Sequence, residues 1–185
     1  MRRIAFSFAL FLFVGTNASA QGAGAAIPGS ESEGPGMWFE LGAGVGKAAG
    51  AAGNAALSAS VDWRNAKLLV SGRGDALSTS WSSSVAQIGL LAGRASTRPD
   101  GRFASASAGV GFVHADQCVT NCGLLSTGAA THESRDGVGV SLAMQGALRA
   151  GHRAGVGIGI AAFGNVNSIS SFAGVTLTLS GGRWR

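Results

Sequence analysis

The sequence predicts an all-β chain, an eight-stranded antiparallel up-and-down transmembrane β-barrel. Apolar and polar side chains alternate along several segments, and turn signals separate these segments. Only 12% of the residues are charged, whereas 46% are hydrophobic. A soluble domain usually carries about 25% charged residues. Segments of about ten residues are long enough to cross a bilayer as tilted strands. The composition and the two-residue period therefore both indicate a membrane-spanning barrel.

The clearest alternation runs from Ala55 to Arg64. Its two faces are Leu57, Ala59, Val61 and Trp63 on one side and Ser58, Ser60, Asp62 and Arg64 on the other. Successive side chains of a strand point to opposite faces, so this segment is a strand with one apolar face and one polar face.

The same period predicts seven further strands. They are Met37–Gly46, Lys67–Asp75, Val85–Ala95, Phe103–Ala115, Gly137–Leu148, Ala154–Phe163 and a last strand that begins near Phe172. Two irregularities stand out: Leu69 breaks the alternation of the third strand, and the fourth has apolar residues on both faces.

The predicted connections alternate in length. Those after strands two, four and six are short, and those after strands one, three, five and seven are mostly longer. A serine-rich loop is expected over Ala76–Ser84 and the longest loop over Asp116–Asp136. Short periplasmic turns and longer outside loops are typical of bacterial outer-membrane barrels.

The N-terminal residues have the pattern of a secretion signal. Arg2 and Arg3 precede an apolar run, and Ala18-Ser19-Ala20 is a small-residue cleavage site, so cleavage is expected between Ala20 and Gln21. The expected organisation is a signal peptide over residues 1–20, a flexible periplasmic segment over 21–36 and a barrel over 37–185. Loss of the signal lowers the net charge from +5 to about +3. That charge is too small to indicate a nucleic-acid partner.

The polar faces indicate which side of the barrel meets lipid. They carry mostly Gly, Ser, Thr and Ala, whereas a soluble surface carries charge on about a quarter to a third of its positions. We therefore expect the apolar faces to meet lipid and the polar faces to line a narrow lumen. Glu40, Asp62 and Arg73 are predicted to form a polar cluster there, because buried charges need partners. Arg64 and Asp75 are expected at the rims.

The aromatic residues fall near the predicted strand ends. Two interfacial girdles are expected from them: Phe39, Trp63, Phe103 and Trp184 at the short turns, and Phe112, Phe163 and Phe172 at the long loops.

With this signal, period and loop rhythm, and with the final strand FAGVTLTLSGGRWR, the chain resembles the small bacterial outer-membrane β-barrel proteins. That group includes the OmpA transmembrane domain and OmpX, and the resemblance covers Met37 to Arg185. It implies a monomer in the outer membrane of a Gram-negative envelope, in contact with outer-membrane lipid. It also implies assembly by the barrel assembly machinery, which in this group usually reads a C-terminal aromatic residue. Here the aromatic, Trp184, stands one place before the end.

The longest loop contains the cysteines and most candidate chemistry. Cys118 and Cys122 are expected to form a disulfide, because an exported protein meets an oxidising compartment. A metal site with His114, Asp116 and His132 is the alternative, although the cysteine spacing differs from that of zinc ribbons.

His132 and Ser134 resemble part of the active site of outer-membrane lipid A deacylases, with Asp136 to orient the histidine. We nevertheless expect a non-enzymatic outer-membrane protein without a wide pore or a cofactor. Its expected role is envelope integrity, or interaction with an extracellular partner through the loop at 116–136. The alternatives are a lipid-modifying enzyme that uses His132 and Ser134, and a secreted soluble ligand-binding barrel.

Overall fold

The computed structural model describes residues 36–48, 54–65, 68–80, 83–98, 100–122, 129–150 and 155–183, without the side chains at 79–80 and 149–150. The predicted signal peptide, its cleavage site at Ala20 and Gln21, and Trp184 lie outside these ranges and stay predictions.

Eight antiparallel strands form a closed barrel in which each strand pairs with its neighbours in sequence and the first pairs with the last. Their bounds are β1 Gly36–Ala48, β2 Asn54–Asn65, β3 Leu68–Ser80, β4 Ser83–Thr97, β5 Arg102–Thr120, β6 Thr131–Ala150, β7 Gly155–Val166 and β8 Phe172–Arg183. The predicted fold class is confirmed. We call the end with the β2–β3, β4–β5 and β6–β7 connections the turn end and the opposite end the loop end.

The strands are longer than the sequence predicted at the loop end. β3 and β4 leave only residues 81–82 between them, so most of the expected loop at 76–84 is strand. β5 and β6 are 19 and 20 residues long, and they pair across about half of the expected loop at 116–136. Polar composition predicted loops here, but polar strands also pair where their side chains meet solvent. Backbone pairing then satisfies the N–H and C=O groups.

The interior has apolar clusters at both ends. The turn-end cluster is Trp38, Leu69, Ala95, Phe103 and Ala147. The loop-end cluster is Ala48, Ala56, Leu77, Val85, Val113, Ala115, Phe163 and Phe172. These clusters explain the two irregularities of the sequence, because Leu69 and Val85 point inward as members of them.

The prediction of two aromatic girdles is confirmed only in part. Phe39, Trp63 and Phe112 face outward, but Phe103, Phe163 and Phe172 are buried inside the barrel. Position near a strand end does not decide the facing of a residue, whereas the two-residue alternation does.

The outer wall is apolar around the whole barrel. Large hydrophobic side chains are exposed on every strand, among them Leu41, Val61, Leu68, Ile88, Val110, Met144, Ile160 and Leu177. No helix in the described part of the chain has the length and apolar content needed to cross a membrane.

Candidate functional site

The interior between the two apolar clusters holds a charged network centred on Arg73. Its guanidinium Nε lies 2.9 Å from Asp75 Oδ1 and 3.0 Å from Asp75 Oδ2. Its Nη1 lies 4.0 Å from Glu40 Oε1, and its Cζ lies 5.2 Å from the centroid of the Phe163 ring. Arg73 thus joins two carboxylates and the face of an aromatic ring of the loop-end cluster.

Of the three residues predicted to form the lumen cluster, Arg73 and Glu40 approach each other and Asp62 has its own partner. Ser60 Oγ donates a hydrogen bond of 2.6 Å to Asp62 Oδ2. Glu40 Oε1 accepts one of 3.2 Å from Gln145 Nε2. All three side chains are buried inside the barrel.

Arg64 and Asp75 are less exposed than the sequence predicted. Asp75 is 3% exposed and belongs to the central network, so its expected place at a rim is wrong. Arg64 lies at the turn end, as expected, but it is 6% exposed and its Nη1 donates a hydrogen bond of 2.7 Å to Thr97 Oγ1. Arg64 lies on the inward face of β2 together with Ser60 and Asp62, so its side chain points into the lumen even near the end of the strand.

Four uncharged residues that were not predicted from the sequence extend the network. Gln87 Nε2 donates to Asp75 Oδ2 at 2.6 Å, and Gln87 Oε1 accepts from Ser141 Oγ and Asn165 Nδ2 at 2.9 and 2.8 Å. Gln145 reaches Glu40, as above. The strand alternation could have found these residues, since all four point to the polar face of their strands.

The network ties together strands from around the barrel. Gln87 lies on β4, and its hydrogen bonds to Ser141 on β6 and Asn165 on β7 cross the lumen to strands with which β4 shares no backbone ladder. Buried hydrogen bonds between distant strands favour one packing arrangement of the side chains. The chemical role of the network is therefore to hold the interior in a single packing.

A loop closes the loop end of the interior. Asn167 Oδ1 accepts hydrogen bonds from the backbone nitrogens of Ile169 and Ser170, at 2.8 and 2.7 Å, and this fixes the turn of the β7–β8 connection. Ile169 packs against the loop-end cluster. A Cβ on Gly137 would come within 2.3 Å of Ile169 Cδ1, so glycine at 137 gives the loop room to settle there.

Beyond Val140, where the pairing of β6 with β7 ends, β5 and β6 continue as a hairpin with polar side chains on its outward face, and β4 pairs with β5 as far as Gln117. His114 Nδ1 lies 2.7 Å from Asp136 Oδ1, and His132 Nδ1 lies 3.2 Å from Asp116 Oδ1. These pairs follow Phe112 and Val138 along the same face. The wall thus changes from apolar to polar within one or two residues on each strand.

These pairs differ from the catalytic set that the sequence offered as an alternative. Asp136 pairs with His114, so it does not orient His132, whose carboxylate partner is Asp116. Ser134 lies opposite Asp116 in the β5–β6 register. Among the described residues, no hydrogen bond joins Ser134 to His132. Direct pairing across the strands decides these partners, and sequence spacing along one strand does not show it.

The hairpin tip contains the expected disulfide between Cys118 and Cys122. Asn121, just before the second cysteine, has a φ of 57°. The backbone nitrogen of Cys118 donates a 3.2 Å hydrogen bond to Ser83 Oγ, which ties the base of the tip to β4. Both sulfurs are committed to this bond, and the described part of the chain contains no group of three His, Cys, Asp or Glu residues arranged to hold a metal.

Comparison with known proteins identifies the fold. No protein-family model matches the sequence, and no curated protein matches it. Among solved structures, Neisserial surface protein A (NspA) is similar with a TM-score of 0.59 and 12% identity, covering 82% of this chain and 99% of that one. Ail, the attachment invasion locus protein of Yersinia pestis, is similar with a TM-score of 0.55 and 11% identity, covering 81% of this chain and 97% of that one.

Both are small eight-stranded barrels of the outer membrane, so the expected likeness to this group is confirmed at the level of the fold. Identities this low carry no information about a shared ligand or activity.

Proposed function

We propose that this chain is an integral protein of the bacterial outer membrane, with a non-enzymatic role. The observation that carries this proposal is the inverted distribution of polarity: large aliphatic side chains cover the outside while Glu40, Asp62, Arg73 and Asp75 are buried inside. Soluble monomers rarely expose apolar patches larger than a few hundred Å². An apolar outer wall is compatible with the hydrocarbon core of a bilayer. A closed barrel also has no strand edge with unpaired backbone groups, which the bilayer core requires.

The same distribution argues against a secreted soluble barrel with a ligand chamber. Such a barrel needs a solvated exterior and an apolar cavity inside. This interior is instead filled by the charged network and by the two apolar clusters that flank it. An eight-stranded barrel has an interior just wide enough for its own side chains, which also disfavours a wide pore.

The β5–β6 hairpin is the part of the molecule best suited to meet a partner. Its strands of 19 and 20 residues exceed the 9 to 11 or so that cross a bilayer. The excess places His114, Asp116, His132 and Asp136 beyond the apolar wall, and a disulfide constrains its tip. We propose that the barrel anchors the protein and contributes to envelope integrity, while this hairpin is presented at the cell surface for interaction.

No observation favours the alternative of a lipid-modifying enzyme that uses His132 and Ser134, because the Ser–His–Asp relay that it requires is not assembled in the described residues. The mass spectrum of lipid A provides a direct test. We expect strains that carry His132→Ala or Ser134→Ala to have the acylation pattern of the parent strain, and a changed pattern would contradict the non-enzymatic role.

The decisive experiment for location is fractionation of cells that produce the full chain. We expect the protein in outer membranes, resistant to extraction by high salt and alkaline carbonate. We also expect it to migrate differently on gels with and without heating, as a folded barrel does. Recovery in the soluble periplasmic fraction without detergent would contradict the proposal. The mass of the purified protein tests cleavage between Ala20 and Gln21 at the same time.

A further inference from the structure

Charge is distributed unequally between the two ends of the outer wall. At the turn end, Arg94 on β4, Arg102 on β5 and Arg183 on β8 are exposed and lie on the outward face of their strands. We call these three residues the arginine belt. Among the described residues at this end, Asp100 is the one carboxylate outside the interior, and it lies 3.3 Å from Arg102.

Each belt arginine lies beside a large apolar residue of the outer wall. In the strand register, Arg94 is opposite Leu68, Arg102 is opposite Leu148, and Arg183 is opposite Met37. These three neighbours are between 53% and 66% exposed on the same outward face. The guanidinium groups therefore lie directly at the boundary of the apolar wall.

The loop end has a different character at its boundary. There the outward face of β5 and β6 carries Asp116 and Asp136, each close to a histidine, and Lys47 is the outward-facing cation of β1. The arginine belt is thus confined to the turn-end boundary of the outer wall. A partner that binds it must be anionic and must contact the turn end from the side.

We infer that the arginine belt binds the phosphate groups of anionic phospholipids in the leaflet at the turn end. This inference rests on the proposed membrane location. Arginine presents a planar fork of donors that matches phosphate, and its apolar stem packs along hydrocarbon while the charge stays at the interface. Each Lys or Arg near an anionic leaflet strengthens the binding of the protein to that leaflet by about five-fold.

The direction of the side chains favours a lipid over a cell-wall polymer. A polymer below the membrane would meet groups that project along the barrel axis from the turns. The belt instead lies on strand residues that share the sideways-facing surface with Leu68, Leu148 and Met37. Phospholipid headgroups occupy that lateral position, whereas a polymer is separated from it by the turns. The exposed ion pair of Arg102 with Asp100 is weak and leaves the guanidinium able to bind phosphate.

The test uses the full-length mature protein in nanodiscs that contain equal amounts of phosphatidylcholine and phosphatidylglycerol with the same acyl chains. Native mass spectrometry measures the ratio of the two lipids that stay bound to the released barrel. We expect phosphatidylglycerol to be enriched at least about five-fold over the bulk ratio. The triple variant Arg94→Gln/Arg102→Gln/Arg183→Gln should return the ratio to that of the bulk.

The matched control is Lys47→Gln/Arg135→Gln, which removes two cations at the other end and should keep the enrichment. Single variants of each belt arginine, tested for folding by heat-dependent migration, replace the triple variant if it does not assemble. Each should lower the enrichment in part. Enrichment that persists without the belt, or that falls equally in the control, overturns the inference.

A second arm addresses the cell wall. Sedimentation with purified peptidoglycan that depends on the belt, without any lipid enrichment, also overturns the inference. Failure of the wild-type chain to enter nanodiscs contradicts the proposed membrane location, whereas insertion without a lipid preference contradicts only the lipid inference.

Discussion

Trp38 packs edge-on against Phe103 across the turn end of the barrel interior, with ring centroids 5.2 Å apart and ring planes at 77°. Trp38 lies on β1 and Phe103 on β5, which are four strands apart in the closed sheet. The pair therefore spans the lumen and closes it.

Phe103→Ala should destabilise the barrel by about 3 to 5 kcal/mol, because it removes a buried aromatic side chain and leaves a cavity beside Trp38. Phe112→Ala is the matched control on the same strand. It should cost less, because Phe112 faces outward and lipid can replace its contacts. Urea titration in phospholipid vesicles measures both free energies of unfolding. Equal losses in the two variants would show that the aromatic pair does not close the interior as described.

Arg73→Ala should destabilise the barrel by about 3 to 5 kcal/mol, because it leaves the buried carboxylates of Asp75 and Glu40 without their cation. Arg73→Met/Asp75→Leu should lose less free energy of unfolding than Arg73→Ala, since it removes one charge of each sign. The same titration measures both.

The control for this prediction is Arg135→Ala on the hairpin, which breaks an exposed pair with Glu133 and should change the free energy of unfolding by about 1 kcal/mol or less. A loss as large as that of Arg73→Ala would mean that burial does not set the strength of these pairs.

Ile160→Arg should impair insertion, because it places a charge near the middle of the outward face of β7. Near the bilayer midplane this costs about 2 to 4 kcal/mol. Val166→Arg, on the same face at the loop end of β7, should cost about 0 to 1 kcal/mol because it lies near the interface. The folded fraction on unheated gels reports insertion. Normal assembly of Ile160→Arg would contradict the assignment of the outer wall to lipid.

Cys118→Ser/Cys122→Ser should leave the barrel folded, because the closed ladder of backbone hydrogen bonds does not depend on the disulfide. The hairpin tip should loosen, and protease should cut between Asp116 and Asp136 faster in intact cells than it does in the parent. Cys118→Ser alone serves as a comparison, since it breaks the same bond and leaves one thiol. Failure of the double variant to assemble would mean that the tip takes part in forming the barrel.

For most strands, the alternation of residue types was enough to predict which residues face inward and which face outward. A strand alternates its side chains by geometry, so the facing of Leu57 to Arg64 follows from a run of residue types alone. The same rule put Glu40, Asp62 and Arg73 inside, where the structure has them. A count of such segments, with turn signals between them, was enough to predict eight strands.

The partners of these residues depend on the tertiary structure. Arg73 binds Asp75 on its own strand and approaches Glu40 on β1, whereas Asp136 pairs with His114 and not with His132. Such pairings depend on the register between strands and on distances across the lumen, and these arise when the barrel closes. Closure also brings Leu69 and Phe103, which both point inward, together with the other members of the turn-end cluster. An alternating pattern specifies a direction for each side chain, but only a closed barrel specifies what it meets there.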